Sequence, residues 1–235
     1  MRDCLGMVQE YSTGVISCQQ KRALSPLSEP FFEKAPGGLF SSRDVSVLVP
    51  GSDNRRYALI KRTIAHGEII NICRGLYCLA PEYRKKPINT YSIAQQLYGP
   101  SYVSLESALS YHSLIPEAVY ACTSVSLKES KDFETPLGLF SYKRVPQNIF
   151  YAGVERFTDE NGNVFLMAAP IKALADYVYI HRRDWAGLEP VVKSLRVDPQ
   201  ELEGLSAECL RALSDNYRSR RVQKFINGLQ KDLNS

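Results

Sequence analysis

The fold is decided by residues 53–79, DNRRYALIKRTIAHGEIINICRGLYCL. The first part predicts a helix over Asn54–Ala65, which Gly67 ends because glycine favours the C-terminal position of a helix. The second part changes to two short β segments joined at Arg74-Gly75, where glycine can take the positive φ of a tight turn. This order predicts a helix followed directly by a two-stranded wing.

A shorter helix is predicted immediately upstream. Ser41 and Asp44 have the spacing of a capping box, which predicts a helix that starts at Ser41 and ends before Pro50-Gly51. Two helices and a β-hairpin in this order are typical of a winged helix-turn-helix. We therefore predict a winged helix DNA-binding domain over residues 26–86, preceded by a flexible N-terminal tail over residues 1–25.

The helix over Asn54–Ala65 is predicted to contact DNA. At about 100° per residue, Arg55 and Arg62 share one face. The apolar members are predicted to point the other way, into the small core: Tyr57, Ile60 and Ile64. Asn and Arg side chains make bidentate bonds to adenine and guanine edges, whereas Lys and other Arg side chains contact phosphates. The predicted DNA-binding residues are Asn54, Arg55, Arg56, Lys61, Arg62 and Arg74.

The remainder of the chain, residues 87–235, is predicted to be a larger mixed α/β domain, which makes the whole chain α+β. Helices are predicted over 90–97, from 104 to about 114, over 171–181 and from 198. Strands are predicted over 119–127, 138–145, 149–157 and 164–168. The tail over 206–233 is predicted to be one long helix or two short ones, with basic residues between its apolar positions.

The net charge of +4 conceals an uneven distribution. Residues 1–86 hold 13 Lys and Arg against 8 Asp and Glu, residues 87–208 hold 10 against 15, and residues 209–235 hold 6 against 2. A basic segment beside an acidic one indicates an acidic partner for part of the chain, of which nucleic acid is the commonest, although an ordinary solvated surface gives the same pattern.

Sequence features of export, membrane insertion and metal binding are missing. No apolar run reaches the roughly 18 residues of a membrane span, and residues 1–20 lack the apolar stretch of a signal peptide. We therefore predict a cytoplasmic protein. The 6 cysteines and 3 histidines form no cluster with metal-ligand spacing, so we predict reduced thiols, no metal site and no cofactor.

Catalytic signatures are also missing, because the chain has no phosphate-binding loop, dinucleotide-binding glycine motif or nucleophile elbow. Ser107, Ser110 and His112 are close in sequence, but their spacing on one helix suits packing rather than a nucleophile–base pair. We predict that the chain is not an enzyme and keep a metal-dependent nuclease as a minor alternative. Its acids would be Glu155, Asp159 and Glu160.

Residues 100–117, PSYVSLESALSYHSLIPE, resemble closely the signature of AbiEi-type antitoxins from abortive-infection type IV toxin–antitoxin systems. The resemblance covers about residues 40–179. Further matches occur in the family's order: Arg74-Gly75-Leu76-Tyr77, the Val119–Leu127 strand, Thr135-Pro136-Leu137-Gly138 and Lys172-Ala173-Leu174-Ala175-Asp176. It departs at Ile171, where the family usually has a glutamate.

The resemblance implies a two-part protein. A winged helix would repress its own operon at repeated operator half-sites, and the C-terminal domain would counteract a nucleotidyltransferase-like toxin without necessarily forming a stable complex. The polar residues of the antitoxin-domain signature are Tyr102, Ser104, Glu106, Ser107, His112 and Lys172. A structural role for the signature stays open beside the functional one, with Tyr102 packing on a helix that Ser104 and Glu106 cap.

Two further hypotheses remain beside the autorepressor and antitoxin. In the first, the winged helix is only a scaffold and the acidic middle region, residues 87–208, binds a protein partner. In the second, the acids of that region support nuclease chemistry.

Overall fold

The computed structural model describes residues 25–34, 38–117, 119–197 and 207–233, and these ranges form a mixed α+β fold with two sheets. The helices are α1 (Ser28–Lys34), α2 (Ser42–Leu48), α3 (Asp53–Ala65), α4 (Thr90–Leu97), α5 (Leu105–Tyr111), α6 (Pro170–Ile180), α7 (Glu189–Leu195), α8 (Ala207–Asn216) and α9 (Arg220–Leu233). The strands are β1 (Leu39–Ser41), β2 (Ile69–Cys73), β3 (Leu76–Leu79), β4 (Ser101–Val103), β5 (Ala121–Ser126), β6 (Lys131–Thr135), β7 (Gly138–Arg144), β8 (Val154–Thr158) and β9 (Val164–Ala168).

The first part of the chain folds as α1-β1-α2-α3-β2-β3, with a three-stranded antiparallel sheet in the order β1-β3-β2. The predicted capping box is confirmed, since the Ser41 and Asp44 side chains each accept a hydrogen bond from the other's backbone N–H. The Ser52 side chain caps α3, and Gly75 takes a φ of 83° in the β2–β3 turn. Strand β1, the third strand of this sheet, was not predicted from the sequence.

The second sheet has six strands in the order β6-β7-β5-β4-β9-β8, with parallel pairing at β5–β7 and β4–β9. Its two faces carry different helices. The Tyr142 hydroxyl donates to the Ala94 carbonyl of α4, while Thr123, on the opposite face of the sheet, bonds to Ser107 of α5. Helix α6 packs beside α5, and α9 packs on α6.

The small sheet is a layer shared by two hydrophobic cores. Phe40, Ile69 and Leu79 belong to a core with α1, α2 and α3. The neighbouring positions of the same strands face the other way and join the core of the six-stranded sheet: Leu39, Ile70, Ile72, Leu76 and Cys78. The alternation of side chains along each strand therefore joins the two parts of the chain through a single sheet.

Several predicted elements need correction. Residues 149–153 form turns, and the strand predicted over 149–157 begins only at Val154, because the chain must turn before entering the sheet edge. Helix α5 ends at Tyr111, before the predicted 114, and α7, β4 and β6 were not predicted. The predicted C-terminal tail forms two helices, α8 and α9. The helix predicted from 198 lies outside the described residues, and so do residues 1–24 of the predicted N-terminal tail.

No helix in the part of the chain that the structure describes is long and apolar enough to cross a membrane.

Candidate functional site

The outer face of α3 is basic and exposed. Asn54, Arg55, Lys61 and Arg62 are all exposed, as predicted for DNA-contacting residues, and their side chains make no ion pair within the described ranges. The one acid of the first turn, Asp53, pairs with Arg56 at 2.8 Å. The unpaired charge on this face is therefore positive.

The Arg56 side chain is only partly exposed, unlike the other predicted DNA contacts on α3. Its side chain is 20% exposed, its Nε donates to the Val49 carbonyl at 2.9 Å, and one Nη donates to Asp53. The guanidinium therefore holds the end of α2 against the start of α3. Two of its N–H groups are used within this part of the chain, and Arg56 stays a predicted DNA contact.

The apolar side of α3 also differs from the prediction. Ile60 is buried at 8% exposure, but Tyr57 is 69% exposed and Ile64 is 36% exposed. The helix buries Ile60 and Thr63 instead, with Thr63 donating to the Leu59 carbonyl at 2.9 Å. The predicted core positions of Tyr57 and Ile64 were wrong, because the buried face is centred on Ile60 and Thr63 rather than on the largest apolar residues.

Arg74 is exposed in the β2–β3 turn, which lies against the start of α2. The Ser42 amide donates to the Gly75 carbonyl at 2.9 Å. On either side of the turn, Ile72 and Leu76 are buried in the core of the second sheet. The hairpin is therefore fixed between two layers, and only its tip is available to a partner.

The signature residues Tyr102, Ser104 and Lys172 meet in a buried polar cluster around Asp176. Lys172 and Asp176 are four residues apart on α6, which places them on one face, and both side chains are 0% exposed. The Tyr102 hydroxyl and the Ser104 hydroxyl donate to one carboxylate oxygen of Asp176 at 3.0 and 2.8 Å. Lys172 and the Tyr217 hydroxyl donate to the other, at 3.2 and 2.6 Å.

Every donor of Lys172 in this cluster has an acceptor. Its ammonium bonds to the Asp176 carboxylate, to the Tyr217 hydroxyl at 2.6 Å and to the Gln147 side-chain oxygen. The Gln147 amide in turn donates to the Tyr102 hydroxyl at 2.7 Å. The cluster thus joins β4, the segment after β7, helix α6 and Tyr217, which lies between α8 and α9, in one network whose hydrogen bonds are satisfied.

Burial shifts the pKa values of three titratable side chains in this cluster. Burial lowers the pKa of the Lys172 ammonium, and the Asp176 carboxylate opposes that shift. Burial raises the pKa of the Tyr102 and Tyr217 hydroxyls well above the ordinary tyrosine value, and the carboxylate adds to the rise. A Lys–Asp pair with no solvent exposure holds segments together, and a substrate has no access to it.

Tyr102 lies in a different element from the one predicted, whereas Ser104 lies at the predicted cap position but makes a different bond. Tyr102 lies on β4 rather than on the signature helix. Ser104 is at the N-cap position of α5, but its hydroxyl bonds to Asp176 and makes no cap bond. Glu106, the other predicted capping residue, instead pairs with His181 at 2.8 Å, with both side chains about one-third exposed.

Ser107 and His112 fix α5 to the sheet. Ser107 bonds through its side chain to the Ala121 carbonyl and the Thr123 amide, at 3.0 and 2.8 Å. His112 Nε2 lies 2.9 Å from the Ala168 carbonyl, and its ring packs edge-on against Phe157. Both residues have structural partners, and the structure does not bring either one to the Lys172 cluster.

Gln147 and Tyr217 are cluster members that the sequence analysis missed. Gln147 lies 25 residues or more from the residues it bonds to in the cluster, and Tyr217 lies 41 residues or more from its own. No local spacing therefore connects either one with Tyr102, Lys172 or Asp176. Ile171, where the resemblance departs from the family's glutamate, is buried at 4% exposure in the large core. The departure therefore falls on an apolar position.

The acids considered for nuclease chemistry do not converge on a metal site. Asp159 accepts bonds from the Asn163 side chain and from the amides of Asn161 and Asn163, and these bonds lower its pKa to about 2. It therefore acts as a turn residue. Among the residues that the structure describes, no group of three or more His, Cys, Asp or Glu side chains could hold a metal ion.

Models of known protein families and the curated proteins gave no match to this chain.

Proposed function

We propose that the chain is a DNA-binding transcriptional autorepressor and an antitoxin that counteracts a nucleotidyltransferase-like toxin. The DNA-binding part would be a winged helix over residues 26–86, with α3 as the recognition helix. The observation that carries the proposal is the exposed face of α3, on which the Asn54 amide lies beside two cations, Lys61 and Arg62, that have no ion-pair partner in the described ranges.

The order of elements supports this proposal. The chain has a helix, a strand, two helices and two strands, with the strands in one antiparallel sheet, and this order agrees with the winged helix-turn-helix that we propose. The two acids near the start of α2 and α3 are used internally, Asp44 in the capping box and Asp53 in the pair with Arg56. The outer face therefore presents cations to a phosphate backbone and one amide to base edges.

The antitoxin half of the proposal rests on the resemblance of residues 100–117 to AbiEi-type antitoxins. Tyr102, Ser104 and Lys172 support it indirectly, because they and Asp176 stabilise the interior of the domain that would carry the activity. We expect the signature to preserve this interior rather than to contact the toxin.

Anisotropy titrations of full-length variants on duplex DNA from upstream of the gene test the DNA-binding half. Arg62→Ala removes an exposed cation of α3, and Arg156→Ala removes an exposed arginine of the edge strand β8 as a matched control. We expect Arg62→Ala to weaken binding and to reduce the slope of log K against log salt by about 0.9 for one lost phosphate contact. Equal affinities and slopes for both variants would show that α3 is misassigned.

Co-expression with the toxin tests the antitoxin half. We expect Arg62→Ala to lose repression of a reporter but to keep protecting cells from the toxin, because the substitution alters only the surface of α3. Loss of both activities in a correctly folded Arg62→Ala protein would contradict two separable functions.

A protein-interaction module with a scaffold-only winged helix is the second candidate. It is favoured by the burial of Ile72 and Leu76 in the second core, which ties the hairpin to the rest of the chain. Under this alternative the full-length protein retains a co-purifying partner and has no affinity for its upstream DNA.

A further inference from the structure

In the first part of the chain, the large apolar side chains that are exposed lie on two helices, α2 and α3. Between residues 38 and 97, the large apolar side chains that are exposed are Val47 at 75%, Tyr57 at 69% and Ile64 at 36%, all on α2 or α3. Tyr57 makes no hydrogen bond or ring contact to any residue in the described ranges. Its phenol ring is therefore available to a partner.

The outer surface of α3 consists of four stripes, because residues seven apart on a helix lie nearly in line. One edge is apolar and the other is basic, while the middle holds an amide, a lysine and two alanines. From the apolar edge to the basic edge, the stripes are Tyr57 and Ile64, then Asn54 and Lys61, then Ala58 and Ala65, then Arg55 and Arg62.

This order of stripes has the chemistry of a major groove that contains A·T pairs. The basic edge suits one phosphate backbone, and the two alanines let the middle of the helix approach the base edges closely. Asn54 suits the N6 and N7 positions of adenine. The thymine paired with that adenine projects its 5-methyl group into the same groove, where an apolar side chain is its natural contact.

We propose that Tyr57 is a specificity-determining residue that packs against a thymine 5-methyl group while Asn54 reads adenine. Tyr57 lies three residues after Asn54 and four before Lys61, so its Cβ is a neighbour of both on the helix surface. The inference rests on the proposed DNA binding and adds to it the base composition that α3 recognises. It also accounts for a large aromatic side chain left in solvent on a helix whose buried face is made by smaller residues.

The test replaces single thymines by deoxyuridine, which removes only the methyl group, in the upstream duplex that the full-length protein binds most tightly. Burying one methyl group changes affinity by about fourfold. We expect one or two thymine positions at which the parent protein loses about that factor. At these positions Tyr57→Ala should bind the two duplexes with nearly equal affinity, and Tyr57→Phe should keep the difference because it keeps the ring.

Tyr120→Ala is the matched control, since Tyr120 is 93% exposed and lies in the second part of the chain. It should keep the parent's response to deoxyuridine, and the circular dichroism of all three variants should be unchanged. If Tyr57→Ala responds to demethylation as the parent does, or if no thymine matters, Tyr57 does not read thymine. If the parent shows no preference for its upstream DNA, the proposed function itself fails before any thymine is replaced.

Discussion

Replacing Lys172 by methionine removes the cation that pairs with Asp176 in the buried cluster while nearly preserving the volume of the side chain. Asp176 would remain with 0% exposure and three hydroxyl donors but no counter-ion. Removing one partner of a buried ion pair costs about 3–5 kcal/mol, because an uncompensated charge stays in the interior. For a chain of this size, that cost lowers Tm by about 6–20 °C.

A second ion pair in the same chain provides a matched control. Lys193 and Glu189 have the same spacing of four residues on α7, but their side chains are 73% and 75% exposed. Exposed pairs contribute about 0–1 kcal/mol, so Lys193→Met should leave the free energy of unfolding almost unchanged. The two variants therefore carry the same chemical change, and they differ in whether the ion pair they break is buried or exposed.

Urea unfolding at pH 7, followed by circular dichroism, gives the free energy of unfolding for both variants. Adding Asp176→Asn to Lys172→Met removes the unpaired charge, so the double variant should be more stable than Lys172→Met alone. If Lys172→Met and Lys193→Met lose equal stability, or if the double variant is the less stable one, the cluster does not hold a charged pair.

Two further predictions concern the same cluster. The pKa of Tyr217 is higher in the folded than in the unfolded chain, so its contribution to stability is complete below about pH 10 and declines above it, where the unfolded chain loses its proton first. Tyr217→Phe should make the fall in unfolding free energy between pH 9 and 11 shallower, and an unchanged slope would contradict this assignment. Ser101 and Ser104 are both 0% exposed, but the Ser101 hydroxyl has no partner in the described ranges, whereas that of Ser104 bonds to Asp176. Urea unfolding should therefore show Ser101→Ala to be neutral or stabilising and Ser104→Ala to cost about 1.5–3 kcal/mol, and the reverse order would be inconsistent with the bonding described.

The parts of the fold that follow local rules could be predicted from the sequence. The Ser41–Asp44 capping box and the positive φ of Gly75 depend on residues within a few positions of each other. The strand β1 was missed because its three residues carry no periodic signal and gain their bonds from β3, more than 30 residues away. Short strands that complete a sheet are defined by their partners rather than by their own sequence.

The candidate sites divide in the same way. The basic face of α3 was predictable because helical spacing alone puts Arg55 and Arg62 together. The Arg56 guanidinium lies against the end of α2 because it bonds to the Val49 carbonyl. The exposure of Tyr57 depends on which face of α3 packs on the small core. Neither can be obtained from periodicity, since tertiary packing selects the buried face among several that are partly apolar.

The measurement that tests the central claim most directly is fluorescence anisotropy of the full-length protein at physiological salt, on duplex DNA from upstream of its own gene and on a scrambled duplex of equal length and composition. The proposed autorepressor should bind its own sequence at least about 1,000-fold more tightly than the scrambled one. Equal binding to both duplexes, lost together as salt is raised, would mean phosphate attraction alone and would contradict sequence-specific recognition by α3.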